Sequence, residues 1–362
     1  MTSERIASSL ARPPALRMTC ASPSMTGQRL GFFTRLLEEA PPADRYRFAL
    51  EQIRTAERVG FDSAWVAQHH FHEAEGGLPS PFVLLAQAAA RTSRIVLGTA
   101  IVTLPLEAPL RVAEDAAVLD LLSGGRFELG VGSGGTATSF PPFGHDPADR
   151  PAIFARHLRQ LVSALRGDVL TSDGGVLYPA APHLLDTLWQ ATFSAQGAAR
   201  IGAAGFGLML SKAQPHTAPT LADTQRPIVD AYLAALPADV RPRVFASRGL
   251  LVVDNEEEGR RLAARGIERS LPTAKALGYE LPAGATQDEL LAAFDIHVGT
   301  PERVVAQLRA DHMMAGATDI VFQVHPVDPS HELTLRSIEL IATEVAPALG
   351  AGPAGHFRPS PP

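Results

Sequence analysis

The chain has 362 residues, of which 46% are apolar and 19% charged, and a formal net charge of −6. This much apolar material supplies a large core and excludes a wholly disordered chain. The acidic balance, with no run of Lys and Arg, excludes the electrostatic footprint of a nucleic-acid or acidic-membrane binder.

Met1 to Gln28 is rich in Ser, Ala, Pro and Arg but lacks the continuous apolar run of a secretory signal, so it reads as a disordered tail. Met25 stands as an alternative start just before the first strand-like run, "RLGFF". The single cysteine, Cys20, cannot form an internal disulfide and fits a reducing, cytoplasmic compartment. No segment reaches 18 uncharged apolar residues, so no membrane span is expected.

From Arg29 onward, short apolar runs alternate with helical patterns. Strands are expected at Leu30 to Phe33, Ser63 to Ala67, Ile95 to Thr103, Phe127 to Val131, Leu188 to Phe193, Gly207 to Leu210, Val244 to Val253 and Ile320 to Val324. Helices are expected at Arg45 to Val59, Pro81 to Ala90, Pro109 to Leu122, Ala152 to Arg166, Leu221 to Leu236, Glu256 to Arg269 and Pro301 to Met314, several opening on Pro or a capping residue. Eight strands with helices between them imply an α/β chain folded as a (β/α)8 TIM barrel over residues 29–349, followed by a flexible tail over 350–362. The stretches Gly167 to Pro182 and Ser270 to His297 exceed a minimal repeat and read as insertions over the C-terminal face of the strands.

Barrel enzymes place their catalytic groups on the loops after the strands. "QHHFHE", Gln68 to Glu73, follows the strand "SAWVA", so His69 and His70 are the candidate catalytic residues and His72, further out, is not. His70 and His72 also form an H-x-H, with Lys212, His216, His325 and Asp328 after later strands as further candidate ligands. A zinc site needs three or four convergent ligands, and dispersed imidazoles fall short, so no metal is expected. "GVGSGG", Gly130 to Gly135, matches G-x-G-x-x-G, but a dinucleotide fingerprint also needs a helix to begin within the glycines. "TATSFPPFGHDP" follows instead, so these glycines read as a loop that approaches a flat ligand closely.

The segments "GFDSAWVAQHHF", "IVLGTAIVTLPLEAPLRVAEDAAVLDLLSGGRFELGVGSG" and "VGTPERVVAQLRADHMMAGATDIVFQV" together resemble the bacterial luciferase-like flavin monooxygenases, over about Arg29 to Leu349. The resemblance implies a TIM-like barrel with insertions and reduced FMN or, in some branches, a deazaflavin. It implies His69 as the catalytic histidine, with His70 as its neighbour, moving a proton during the oxygen chemistry. It also implies a non-prolyl cis peptide at Ala100 and Ile101, next to Thr99, under the flavin ring. The loop of Gly132, Ser133 and Gly134 is implied to flank the cofactor. Ser194 matches a phosphate-binding serine, with the backbone of Ala195, Gln196 and Gly197 behind it. Against luciferase itself, Ser133 stands in place of a phosphate-clamping arginine, Gly132 in place of a reactive cysteine and Ser139 in place of an acidic residue, so light emission is not expected.

The nearly all-apolar helix Pro81 to Ala90 and its neighbour Pro109 to Leu122 need cover on more than one side. Either a homodimer forms through them, as the resemblance also implies, or the chain's own insertions bury them. The expected function is oxygenation of a small organic substrate by O2 and reduced FMN, with a separate NAD(P)H:flavin reductase as transient donor, since one barrel leaves no second domain for a nicotinamide nucleotide. A deazaflavin-dependent hydride transfer, a metal-dependent hydrolase and a non-catalytic flavin-binding accessory protein are the alternatives. Phe140, Phe143, Tyr178 and Trp189 either line the pocket or pack in the core.

Overall fold

A computed structural model describes residues 27–214, 217–276 and 284–350. Most of the N-terminal tail, with Cys20, most of the C-terminal tail and His216 therefore lie outside the described residues.

The strands are β1 Arg29–Thr34, β2 Ser63–Val66, β3 Val96–Thr99, β4 Val102–Thr103, β5 Phe127–Glu128, β6 Gly130–Gly132, β7 Trp189–Ala191, β8 Gly207–Leu210, β9 Val244–Val252, β10 Ile296–Gly299 and β11 Asp319–Gln323. The helices are α1 Pro42–Val59, α2 Pro81–Ala89, α3 Pro109–Ser123, α4 Arg150–Arg166, α5 Ala195–Ala203, α6 Leu221–Ala235, α7 Glu256–Ala276, α8 Gln287–Ala293, α9 Pro301–Ala310 and α10 His331–Leu340. All strand pairings are parallel, in the order β4-β6-β7-β8-β9-β11-β1-β2-β3-β5, and β10 adds to β9. The result is an α/β fold built on a curled parallel sheet.

Local chemistry sets these elements. Helix α1 has Pro in its first turn and ends at Gly60, whose φ of 105° only glycine adopts freely. The strands read as continuous apolar runs because both faces are covered. One face packs on the helices, and the other closes around Phe33, Trp65, Trp189, Met209, Phe245 and Val321. Trp65 meets Trp189 and Phe245 edge-on, at 6.2 and 5.1 Å between ring centroids. Neighbouring glycines make the room: a Cβ on Gly98 would lie 2.2 Å from the Trp65 ring, and one on Gly207 would lie 2.3 Å from that of Trp189. The N-terminal end of the sheet is tied by Arg29 to Glu128 (2.6 Å) and Asp319 (2.5 Å), with Trp189 Nε1 donating to Glu128 Oε2 at 2.6 Å.

Several expectations need correction. The strand expected over Ile95 to Thr103 breaks into β3 and β4 at the cis peptide Ala100–Ile101, and that over Phe127 to Val131 breaks at Leu129. Gly167 to Pro182 does not lie over the C-terminal face. It follows α4 and precedes β7, so it sits at the opposite end of the strands, where His183 Nε2 lies 2.7 Å from Asp120 Oδ2 in the last turn of α3. The true excursion after β6 is residues 133–149, with three short 3-10 turns. Ser270 to His297 is not a plain insertion: α7 runs through Pro272 to Ala276, and α8 and strand β10 follow. Helix α10 was not expected. The insertions also leave the α2/α3 surface open, because Val83, Leu110, Val118, Leu121 and Leu122 are exposed. Among the described residues no helix is long and apolar enough to cross a membrane.

Candidate functional site

The loops after β2, β3, β6 and β7 converge at the C-terminal end of the sheet. Ala100, Ile101 and Ala191 cap the aromatic interior there and form the floor of the site. The Ala100–Ile101 peptide is cis, and Ala100 N donates to Val66 O at 2.8 Å. Thr99 anchors this turn from below: its hydroxyl donates to Gly130 O at 2.8 Å and accepts from Gly130 N at 2.9 Å. Gln68 anchors it from the side, accepting from Thr103 N at 2.7 Å and donating to Glu107 Oε1 at 2.6 Å.

The glycine loop lies against this turn. A Cβ on Gly132 would sit 3.0 Å from Ile101 Cδ1, and one on Gly134, whose φ is +76°, would sit 2.5 Å from Thr103 Cγ2. The positive φ and short contact at Gly134 require glycine there, and Gly132 keeps the approach to Ile101 close. Ser133 between them is half-buried. Arg150, at the start of α4, donates from Nη1 to Gly134 O at 3.1 Å and brings a guanidinium to the loop that carries no arginine at 133.

Beyond β7, Ser194 caps α5, its hydroxyl accepting from Gly197 N at 3.1 Å. Ser194, Ala195 and Gln196 are exposed and Gly197 is buried. The first N–H groups of a helix lack intrahelical partners and favour an anion.

His69 leaves β2 with its backbone N–H bonded to Leu78 O at 3.0 Å. Its Nδ1 lies 3.7 Å from Glu75 Oε2, an electrostatic pairing longer than a hydrogen bond. Burial lowers the imidazole to about 4 against the opposing pull of Glu75, so His69 is neutral at pH 7. Glu75, held near 2 by His69 and by the Thr136 hydroxyl that donates to it, is ionised. His70 is also lowered by burial, its Nε2 is buried without a partner, and its ring meets Phe143 edge-on at 5.0 Å. His72 turns outward to Thr138 Oγ1 at 2.8 Å. Ser139 is buried and donates to His70 O at 3.4 Å.

The wall beyond β1, β8 and β11 is basic and buried. Arg35 donates to Glu75 O, and its Nε has no partner. Lys212 is lowered by burial to about 8 and donates to Phe294 O at 2.9 Å. His325 lies 3.1 Å from Asp328 Oδ2 and is lowered by burial to about 4.

The sequence rule that picked His69, a polar residue directly after a strand, also applies to Arg35 after β1 but was not used there. Glu75 stands six residues past His69 in the same loop, and Arg150 carried no local signal. Of the candidate pocket aromatics, Phe143 reaches His70, while Phe140 and Trp189 are core and Tyr178 is exposed on the far-side loop. Of the candidate metal ligands within the described residues, His325 and Asp328 meet, but no three of them come together. Among the described residues the one grouping of three that could hold a metal is Asp295, His297 and Asp311, and Arg248 Nε already occupies Asp311 at 2.5 Å.

Comparison with known proteins gives this geometry a family. The luciferase-like monooxygenase family matches residues 28–319. An uncharacterized protein of Sinorhizobium fredii, y4vJ, is 30% identical over 84% of this chain and 91% of its own length. Limonene 1,2-monooxygenase of Rhodococcus erythropolis is 28% identical over 82% and 80%. Among solved structures, a monooxygenase from Streptomyces bottropensis superposes with a TM-score of 0.73 at 23% identity, covering 88% of this chain and 99% of that one. The oxygenating constituent of 3,6-diketocamphane monooxygenase from Pseudomonas putida, in complex with FMN, gives 0.69 at 20% identity over 88% and 98%. A coenzyme F420-dependent tetrahydromethanopterin reductase from Methanopyrus kandleri gives 0.64 at 19% over 89% and 99%. With the family match running from the first strand to the start of the last, the chain belongs to the luciferase-like monooxygenases.

Proposed function

We propose that this protein is an FMN-dependent monooxygenase on a (β/α)8 barrel, oxygenating a small organic substrate with O2 and reduced flavin. The observation that carries the reading is the close packing of Gly132 on Ile101 and of Gly134 on Thr103, beside the half-buried, neutral His69. The face of Ala100, Ile101 and Ala191 suits a planar ring, with Ser133 the one side chain between the two glycines.

Reduced flavin, when bound, would supply the electrons for activating O2. The chain's own residues would do the rest. Ala100, Ile101 and Ala191 would carry the ring, and the α5 N-terminus with Ser194 would hold the phosphate. Arg150 would provide the positive charge absent at Ser133. With Nδ1 turned toward Glu75, His69 Nε2 is left to accept or return a proton, and its neutrality at pH 7 suits a base. The half-buried His70 ring, against Phe143, would flank that side of the site.

The described residues form one α/β unit, and no helix begins within the glycines of the 130–135 run, so we assign reduction of the flavin to a separate NAD(P)H:flavin reductase. The exposed apolar residues of α2 and α3 fit a homodimer interface, and the protein is assigned to the cytoplasm.

The test is anaerobic titration with FMN and with deazaflavin F420, then oxygen uptake. FMN binding, with oxygen consumed only when reductase or chemically reduced FMN and substrate are present, supports the reading. Preference for F420 with no oxygen uptake would establish hydride transfer instead, and FMN binding without turnover on any substrate an accessory role. Rapid anaerobic bleaching of bound FMN by NADH or NADPH alone would overturn the need for a reductase.

A further inference from the structure

A sizeable cavity lies at the other end of the sheet. It encloses about 910 Å³ and is lined by one face of α4, by the turn before β7, by residues 204–206 before β8 and by residues 240–243 before β9. These segments precede strands, whereas every residue of the candidate active site follows one, so the two sites are at opposite ends.

Its floor is apolar and half-buried: Leu158, Val162, Leu185, Phe206 and Val240. Its rim carries Arg159, Arg166, Arg241 and Arg243 against a single carboxylate among the lining residues, that of Asp186. The exposed guanidiniums of Arg159, Arg166 and Arg241 against that one carboxylate make a local positive excess in a chain whose net charge is −6, while Arg243 is also drawn toward Glu128 and Asp319. Other surface arginines pair with carboxylates, as Arg265 does with Glu39 and Arg336 with Asp254. Here Arg159, Arg166 and Arg241 have neither an ion pair nor a hydrogen bond among the described residues. Arg159 and Arg166 stand seven residues apart on α4 and so share one face of the helix.

Arg243 is the fixed member of the group. Its guanidinium stacks on Trp189 at 4.8 Å, and Nη2 donates to Leu188 O at 3.0 Å. One edge is thereby bound to the fold, while Nε and Nη1 make no hydrogen bond among the described residues. A held guanidinium loses little entropy on binding, and its planar fork matches an oxyanion.

We infer that this cavity is a second ligand site, for an amphipathic anion whose aliphatic or aryl body lies on Leu158, Val162, Leu185, Phe206 and Val240 while its carboxylate or sulfonate meets the arginine rim. The volume lies within the range of small-molecule pockets, and an apolar floor with a few convergent polar groups is their usual form. The inference does not depend on the flavin reading.

The experiment is calorimetric titration of the purified full chain with sodium decanoate, decan-1-ol and inorganic phosphate. Decanoate is expected to bind with a Kd about tenfold or more below that of decanol, since the Arg contact is the difference between them. Phosphate alone should compete only at far higher concentration. In the double variant Arg166→Glu, Arg241→Glu, with circular dichroism and Tm unchanged, decanoate affinity should fall about tenfold or more. His69→Ala should leave it unaltered. Equal affinity for decanol, competition by phosphate at the same concentration as decanoate, or decanoate binding that survives the double charge reversal and disappears in His69→Ala would each overturn the assignment. If the double variant fails to fold, the single variant Arg166→Gln carries the same comparison of decanoate with decanol.

Discussion

Substitution of Gly197 by Ala tests the phosphate seat most directly. A Cβ at this position would lie 2.2 Å from Thr192 Oγ1 and 3.0 Å from Ser194 Oγ. Neither side chain is long enough to swing away freely. Thr192 Oγ1 accepts from Ser194 N at 3.2 Å, and Ser194 Oγ accepts from Gly197 N at 3.1 Å, so the added methyl displaces the hydroxyls that set the cap. Two stability effects oppose each other: alanine in a helix gains up to about 1 kcal/mol over glycine, and loss of the serine cap costs about 1 kcal/mol. Net stability should therefore change by less than about 1 kcal/mol. The anion feels a one-sided loss, because hydrogen bonds to a charged group contribute roughly 1.5 to 3 kcal/mol. Losing one of them weakens FMN about 10- to 100-fold. The assay is quenching of flavin fluorescence on titration of FMN, with urea unfolding as the stability control. Gly316→Ala is the matched control, because a Cβ there meets only Met313 O at 3.8 Å, before β11 and away from the site, and it should alter neither quantity. If Gly197→Ala keeps full stability and full FMN affinity, the phosphate does not sit at the α5 N-terminus.

His69→Ala should keep the fold and most of the flavin affinity while lowering oxygenation by roughly 10² to 10⁴, the range for a positioned acid or base. His72→Ala, at a side chain turned to Thr138, should do little, so equal losses at both positions in a steady-state assay would remove His69 from the chemistry. His69 and His325 have folded values near 4 against an ordinary value of 6.5, so the unfolded chain takes up protons first as pH falls. Their contribution to stability is full above about pH 6.5 and is lost as pH falls from 6.5 to 4, amounting to about 2 kcal/mol per histidine by pH 5. Urea unfolding of wild type and His69→Gln at pH 7.5 and 5 should show the variant losing about 2 kcal/mol less, and an identical loss in both would refute this. Leu121→Glu combined with Leu122→Glu, both exposed at the end of α3, should yield a monomer by light scattering where wild type is a dimer, with Tm falling only in proportion to lost assembly. A wild type that is already monomeric at micromolar concentration ends the dimer proposal.

The alternation of strands and helices was legible in the sequence because its causes are local. Runs such as "SAWV" and "GLML" are apolar on both faces, and prolines and glycines mark where helices start and stop. The order of strand and loop likewise pointed His69 and Ser194 toward the C-terminal end of the sheet, since in a parallel sheet that follows from connectivity alone. What the sequence could not supply was anything set by contacts between distant segments. The break at Leu129 lies within the strand-like run "FELGV", and the strand character of Ile296–Gly299 depends on pairing with β9. The wrong end was assigned to Gly167 to Pro182 because length signals an insertion, whereas only the order of α4 and β7 fixes its side. Arg150 reaches Gly134 from 16 positions away, and Glu75 acts on His69 only because the loop folds back. The depressed imidazole of His69 is a product of burial, and burial is a property of the packed chain: the same six letters "QHHFHE" in an exposed loop would titrate as ordinary histidines.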